Sequence, residues 1–496
     1  MWPRASAAAP DPGCGMSRLL ISAAHRSSGK TTVSVGLCAA LTEQGRVVQP
    51  FKKGPDYIDP MWLSQASGRD CFNLDPFLMT HEQMICCFTR RAAQADIGMV
   101  EGNMGLHDGL SLDGSDSSAA LAHLLGMPVL LVLDARGMTR GIAPLILGCQ
   151  AFDPRVRIAG VILNQLGGAR HEAKLRAAIE HYTDVPVLGA IAADPRLALV
   201  ERHLGLMPSR ELDDAAQKVR DMGRLIAEQV DLARILQLAG DVEPLPEARP
   251  APPASGKKAV ATQTVRIGLA QDKAFGFYYP DDLLALQAAG AEIVPFDCLH
   301  DGHLPEVDGI FIGGGFPEVF LPELQANVSL RENIRAAIDA GLPAYAECGG
   351  LMYLARSLRG KQGAFDMVGA IAADVVMQDR PVGRGYVELQ TSAELPWPVA
   401  GMESGTDAGL TLRGHEFHYS SLENVDPGLT FAYQVQRGHG ADGQRDGIVH
   451  RNLLASYTHL RSGAGSDWAS GFVAFVRSLK MAAGGPSSLR ASKSEH

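Results

Sequence analysis

The chain is predicted to fold as two α/β domains, each a parallel sheet covered by helices, and three observations carry that expectation. Residues 18–24 (RLLISAA) form an apolar strand that runs into Ser27-Ser28-Gly29-Lys30-Thr31-Thr32 and then into a helical pattern over 33–41. Residues 343–353 (PAYAECGGLMY) repeat the layout with a different centre: a strand, Cys348, two glycines and an apolar helix. Between these two units lies residues 243–255 (EPLPEARPAPPAS), with five prolines and little to bury. Alternating apolar strands and amphipathic helices on both sides of such a break imply two sheets with helices on both faces.

Each element follows from local chemistry. The first helix stops at Gly45, a residue suited to a helix end. Residues 47–51 read as the next strand, and 97–100, 129–133 and 158–163 as further buried strands. The proline-rich stretch is a linker of polyproline II character. After it the alternation resumes over 265–270, 283–289, 292–296, 309–312 and 342–346, and gives way to extended, glycine-rich sequence after about residue 380. The expected organisation is a disordered extension over 1–16, a first domain over 17–242, a linker over 243–262, a second domain over 263–482 and a frayed tail over 483–496. Residues 1–16 lack the apolar core of a secretory signal, so either they form a tail or Met16 is the initiator. No internal repeat is present.

Composition excludes several classes. Of the 496 residues, 46% are hydrophobic and 20% charged, the balance of an ordinary globular protein. A net charge of −10 argues against a nucleic-acid partner, which needs a basic footprint. No apolar run is long enough to span a membrane. The eight cysteines are irregularly spaced and form no C-x-x-C pair, which points to reduced thiols and a cytoplasmic location. The sequence is compatible with a homo-oligomer and does not fix its state.

A phosphate cradle needs backbone N–H groups at a helix start, a lysine, and a hydroxyl for Mg²⁺. Gly29, Lys30, Thr31 and Thr32 supply these after a strand, although Ala24 stands where the Walker pattern has its first glycine. Two acidic segments follow, FKKGPDYIDP at 51–60 and VEGNMG at 100–105. Ligands of open α/β sheets bind at the carboxyl ends of strands, and acids emerging there can hold Mg²⁺ through oxygen. Asp56, Asp59 and Glu101 are therefore assigned to catalysis and positioning, with Thr31, Asp56 and Glu101 as metal ligands. Turn-forming is the competing role for Asp56 and Asp59. Lys52 is assigned to phosphate, against simple surface charge. Asp134 is a helix-entry residue or an outer Mg²⁺ partner. Asn164 reads a base edge or ends a turn.

A cysteine on a strand-to-helix turn followed by glycines matches the logic of an exposed nucleophile, and a helix start favours a thiolate. The competing fate of Cys348 is a buried structural thiol. Residues 312–318 (IGGGFPE) place Gly314 and Gly315 where free N–H groups can face an oxyanion. A base is also needed; His415, His418, His450 and His459 are candidates that spacing alone does not separate.

Seven segments in order, FKKGPDYIDP, VEGNMG, ERHLGL, GGGFPE, AECGGLMYL, RGHEFHYS and ASYTHL, resemble the cobyrinic acid a,c-diamide synthases, also called hydrogenobyrinic acid a,c-diamide synthases, over about residues 17–480. The resemblance implies a dethiobiotin-synthetase-like P-loop domain joined to a class I glutamine amidotransferase-like α/β domain. It implies ATP- and glutamine-dependent amidation of two carboxylates of a corrinoid in cobalamin biosynthesis, through acyl phosphates, with Mg²⁺. The family's nucleophile falls on Cys348 and its histidine on His459. Arg202 and His203 would contact the macrocycle's carboxylates. The wider amidotransferase class carries a Glu two residues after the histidine, where this chain has Arg461. Another group must orient the base, and the resemblance does not name it. Two other readings compete: amidation of another tetrapyrrole (a nickel sirohydrochlorin or a cobyric acid precursor), and a non-catalytic P-loop regulator.

Overall fold

The computed structural model describes residues 16–197, 201–202, 205–212, 214–245, 263–397, 409–463 and 466–484. The chain divides into two compact units between Ser255 and Gly256. Residues 1–15 of the expected extension over 1–16, residues 246–262 of the linker and residues 485–496 of the tail lie outside the described residues. Among the described residues, no helix is long and apolar enough to cross a membrane.

The first unit is built on β1 (Arg18–Ala23), β2 (Val48–Lys53), β3 (Phe72–Leu74), β4 (Ile97–Glu101), β5 (Val129–Asp134), β6 (Ile158–Leu166) and β7 (Val187–Ala192). They form one sheet in the order β3-β2-β4-β1-β5-β6-β7, and every pairing is parallel. Helices cover both faces, so β1 and β2 are buried at every position rather than alternating. β1 is central and the strand order reverses around it, which puts the ligand-binding crevice at its carboxyl end. The helix Lys30–Glu43 leaves that end, and the helix Ile58–Ser67 follows β2. The second is anchored by Trp62, which is fully buried and donates its indole N–H to Met207 O at 2.9 Å. Burial of this side chain fixes the first turn of its helix, where Asp59 sits; truncating it costs about 3–5 kcal/mol. A small ribbon, β8 (Glu201–Arg202) with β9 (Gly205–Leu206), completes the unit.

The second unit contains β10 (Val265–Ala270), β11 (Phe275–Phe277), β12 (Ala291–Phe296), β13 (Gly309–Ile312), β14 (Gly314–Gly315) and β15 (Ala344–Glu347). Then follow β16 (Ala355–Gly360), β17 (Gly363–Asp366), β18 (Ile371–Met377), β19 (Gly383–Thr391) and β20 (Thr411–His418). The last are β21 (Ser420–Glu423), β22 (Thr430–Arg437), β23 (Arg445–His450), β24 (Leu453–Ser456) and β25 (His459–Leu460). The main sheet runs β12-β10-β13-β15-β24-β23-β22-β19-β20-β25, parallel from β12 to β24 and antiparallel beyond. Strands begin at residue 355, earlier than the expected extended region, because the helix after Cys348 is only six residues long. Behind β15, Tyr345 packs with its ring centroid 4.5 Å from that of Trp468 and 5.2 Å from that of Phe311. This aromatic layer immobilises the strand that ends at Cys348.

Candidate active site

Gly29 caps the helix Lys30–Glu43 with φ 88°, a left-handed conformation that glycine adopts without strain. No side chain caps this helix, so its first N–H groups are left for an anion. A β-carbon at Gly29 would lie 2.1 Å from Asn164 Nδ2. That amide instead donates to Ser28 O at 3.0 Å. Asn164, read as a base-edge or a turn residue, lies within β6 and braces the cradle through that amide. Lys30 Nζ donates to Met104 O at 2.5 Å, and burial, then the charge of Lys52, pulls its ammonium down to about 8. Thr32 Oγ1 lies 3.5 Å from Leu197 O.

The acids converge on Lys52. Its ammonium lies 2.5 Å from Asp59, 3.0 Å from Glu101 and 3.8 Å from Asp56. Burial opposes that charge, but the three carboxylates outweigh it and hold Lys52 well above the usual lysine range. Its hydrogen-bond partners among the described residues are Asp59 and Glu101, and its charge also acts on Lys30 of the phosphate loop. Thr31 Oγ1 donates to Glu101 at 2.7 Å and reaches Asp59 at 3.2 Å. The expected metal set of Thr31, Asp56 and Glu101 is assembled only in part, with Asp59 beside Thr31. Asp56 Oδ1 instead accepts from the amides of Ile58 and Asp59, at 2.9 and 3.1 Å, as a turn-forming aspartate does. Burial, then Asp59, raises Asp56 to about 7. Glu101 Oε2 is buried with no hydrogen-bond partner. An orphaned carboxylate oxygen beside a hydroxyl and a second carboxylate fits a hard divalent cation. Asp134 pairs with Arg136 at 2.6 Å and accepts from the Arg136 amide at 3.0 Å, which closes a turn after β5; the next helix starts only at Ile142, so Asp134 does not enter a helix.

In the second unit, Cys348 has φ 47° and ψ −102°, a conformation in which a non-glycine residue carries about 1–3 kcal/mol of strain. Its N–H donates to Ser456 O at 2.7 Å, which ties the turn to β24. His459 is buried beside it. Burial opposes the imidazolium, but hydrogen bonds with Cys348 and Glu347, and their charges, push His459 up to about 10. Glu347 Oε2 lies 3.3 Å from His459 Nδ1. Gly314 lies against the ring: a β-carbon there would be 2.6 Å from His459 Cε1. Gly314 and Gly315 pair with β11, and Gly315 lies against Gly349. The structure thus brings Cys348, His459 and the glycine run together.

The other histidines separate by geometry. His415 stacks on His459 at 4.9 Å and lies 3.2 Å from Tyr279 Oη through Nδ1; burial, then His459, holds it well below the usual histidine range. His418 stacks on Tyr457 at 3.9 Å, and its Nδ1 lies 2.8 Å from Ser420 O. His450 pairs with Asp339 at 3.1 Å, half-buried and outside this cluster. The side chain of Arg202 and all of His203 lie outside the described residues.

Three supporting groups escaped sequence reasoning. Glu347 was visible only as part of AECGG. Asp446 is buried and accepts from Thr458 Oγ1 at 2.7 Å and from the amides of Tyr457 and Thr458, which fixes the approach to His459. Asp282 accepts from Ser462 N at 2.5 Å beside an Arg461–Asp281 ion pair. The available signal was an acid inside an otherwise apolar strand or loop, where burial demands a partner.

Residues 21–206 match the family described as CobQ/CobB/MinD/ParA nucleotide binding domain. Residues 266–465 match the CobB/CobQ-like glutamine amidotransferase domain. A P-loop nucleotide-binding domain and an amidotransferase domain on one chain define the class of glutamine-dependent amidoligases. The chain is 46% identical over 463 residues to the cobyrinate a,c-diamide synthase of Magnetococcus marinus, covering 93% of this chain and 97% of that protein. It is 42% identical to the enzyme of that name from Methanosarcina acetivorans, over 92% of this chain and 94% of that one. The Listeria innocua protein of the same name is 38% identical over 90% and 96%. The chain belongs to the cobyrinate a,c-diamide synthase family.

Proposed function

We propose that this protein uses ATP, Mg²⁺ and glutamine to amidate the a and c side-chain carboxylates of a cobyrinic acid-type corrinoid, in cobalamin biosynthesis. The observation that carries the reading is Cys348 on a strained turn, with buried His459 close enough for the two charges to interact, in a chain that also holds an uncapped Gly29-Lys30-Thr31 helix start. The Cys348 sulfur, its proton already passed to His459 in a thiolate–imidazolium pair, attacks the glutamine carboxamide carbon. Backbone N–H groups of the Gly314–Gly315 run face the oxygen that gains the electron pair. Collapse breaks the C–N bond, and the proton leaves with nitrogen as ammonia; water then releases glutamate from the thioester.

In the first unit, the helix start at Gly29 and the Lys30 ammonium bind the phosphates of ATP. Thr31, Asp59 and Glu101 would hold Mg²⁺, which supplies positive charge against the phosphates. A substrate carboxylate takes the γ-phosphoryl group, and ammonia displaces phosphate from the resulting acyl phosphate. Lys52 and Asp56 hold the acids in register for this step. Cytoplasmic location and domain limits at 17–242 and 263–482 belong to the same reading.

The test is mass-resolved product analysis with purified protein, ATP, Mg²⁺, glutamine and either cobyrinic or hydrogenobyrinic acid. A gain of two amides with one of the rings is expected. No amide from either ring defeats the proposal.

A further inference from the structure

We infer that Glu347 is the positioning residue of His459, supplying from the residue before the nucleophile the carboxylate that Arg461 cannot supply after the base. The inference rests on the reading of Cys348 as the glutamine-hydrolysing nucleophile. Glu347 ends β15, and its carboxylate is almost wholly buried. One oxygen is committed to structure: Oε1 accepts from Tyr345 Oη at 2.7 Å and from Leu460 N at 3.0 Å. The other, Oε2, faces His459 Nδ1 at 3.3 Å. A buried carboxylate costs several kcal/mol unless it is paired and hydrogen-bonded. Here both conditions are met by groups that also fix its direction. Tyr345 is held by the Trp468 and Phe311 rings, and Leu460 is the neighbour of His459 itself.

This arrangement settles the tautomer. With Nδ1–H donated to Glu347, Nε2 is the ring atom able to receive the Cys348 proton. The imidazolium that results lies against a fixed negative charge. The other groups around it do not replace that charge. His415, stacked on the ring, is held neutral by burial. Asp282 is pushed toward its neutral form by burial and then by Glu347 itself. Arg461, at the position where the wider class has its acid, is turned to Asp281.

Glu347→Gln tests the role with little change of shape. Its amide oxygen can still accept from Tyr345 and Leu460, so the structural bonds survive. Its NH₂ then faces Nδ1 and selects the opposite tautomer, with the proton on Nε2. Glutamine-dependent kcat/KM is expected to fall by about 10²–10⁴-fold, the range seen when a base loses its orienting acid. Ammonia-dependent synthesis reports that the chain is folded. The reading that separates positioning from a structural role is iodoacetamide alkylation of Cys348 against pH, followed by mass of the Cys348 peptide. Loss of the carboxylate destabilises the thiolate–imidazolium pair, so the half-maximal pH should rise by about one unit or more. Glu347→Asp keeps the charge with a shorter reach; its alkylation profile should stay nearer wild type while its rate falls between the two, and it carries the test if Glu347→Gln does not fold. Profiles for Gln and Asp that both superimpose on wild type overturn the inference. Wild-type protein alkylated at Cys348 that still uses glutamine would instead overturn the nucleophile assignment beneath it.

Discussion

Both candidate sites sit at the carboxyl edge of a parallel strand, on a residue with positive φ, at the start of a helix. They hold their chemistry in opposite ways. At β1 the left-handed residue is Gly29, which is unstrained, and the reactive groups are held by one another: Lys52 lies among three carboxylates, and Thr31 bonds two of them. At β15 the left-handed residue is Cys348 itself, which is strained, and it is held by backbone pairing and an aromatic layer, with the His459–Glu347 pair beside it. A site that receives a highly charged ligand can be ordered by charge balance. A site that must point one sulfur atom needs a rigid backbone, because a lone thiol has too few interactions to orient itself.

The sharpest way to break this comparison is to remove each centre. Cys348→Ala should abolish glutamine-dependent synthesis, on the order of 10³-fold or more, and leave synthesis with free ammonia. Amide formation assayed with each nitrogen source decides it; loss of both would mean that the two sites are not separable. Lys30→Ala should remove synthesis with either source, by about 10²-fold or more, since the phosphates lose their charge partner. Normal ammonia-dependent rates in that variant would refute the cradle assignment.

pH separates the sites more gently. Lys30 is lowered in the fold to about 8. The unfolded chain therefore binds more protons between about pH 8 and the ordinary lysine value, and that site gains stability as pH rises through this window. Phosphate binding requires the ammonium, so nucleotide affinity should fall about tenfold per pH unit above about 8, with proton uptake on binding measurable by calorimetry in buffers of different ionisation enthalpy. His459 is raised to about 10. Its stabilising contribution is complete below the unfolded value of about 6.5 and is lost as pH rises through about 10. Glutaminase activity should accordingly persist at pH 9, where nucleotide binding has already weakened; parallel loss of the two would erase the distinction.

The smallest expected effect is on the brace of the cradle. Asn164→Ala removes a buried hydrogen bond and should cost about 0.5–1.5 kcal/mol, read as a lower thermal midpoint. Its nucleotide affinity should drop with glutaminase rate unchanged. An equal change in both activities would show that Asn164 acts on the chain as a whole.

What sequence reveals differs between the sites for a physical reason. Gly29-Lys30-Thr31 and Cys348-Gly349 are legible because a turn with positive φ, a helix start and the reactive group lie within a few residues. The parallel sheets are legible because strands buried on both faces read as apolar runs. Glu347 and His459 are 112 residues apart, and Asn164 and Ser28 are 136 apart. Such pairs are created by strand order, and no local pattern marks them. The acid partners of Lys52 are hidden for a related reason: adjacent lysines look alike in sequence, and only the register that sets β2 beside β4 aims one of them at Glu101. The antiparallel half of the second sheet is hidden because its long strands β19, β20 and β22, of eight or nine residues, mix polar with apolar residues and do not read as apolar runs.

The position of Lys52 has a consequence for the life of the protein between turnovers. A pocket of three carboxylates alone would repel itself when empty. A lysine that belongs to the chain supplies the missing positive charge, so the fold carries its own counter-ion. The acids can then stay in place without borrowing a cation from solvent.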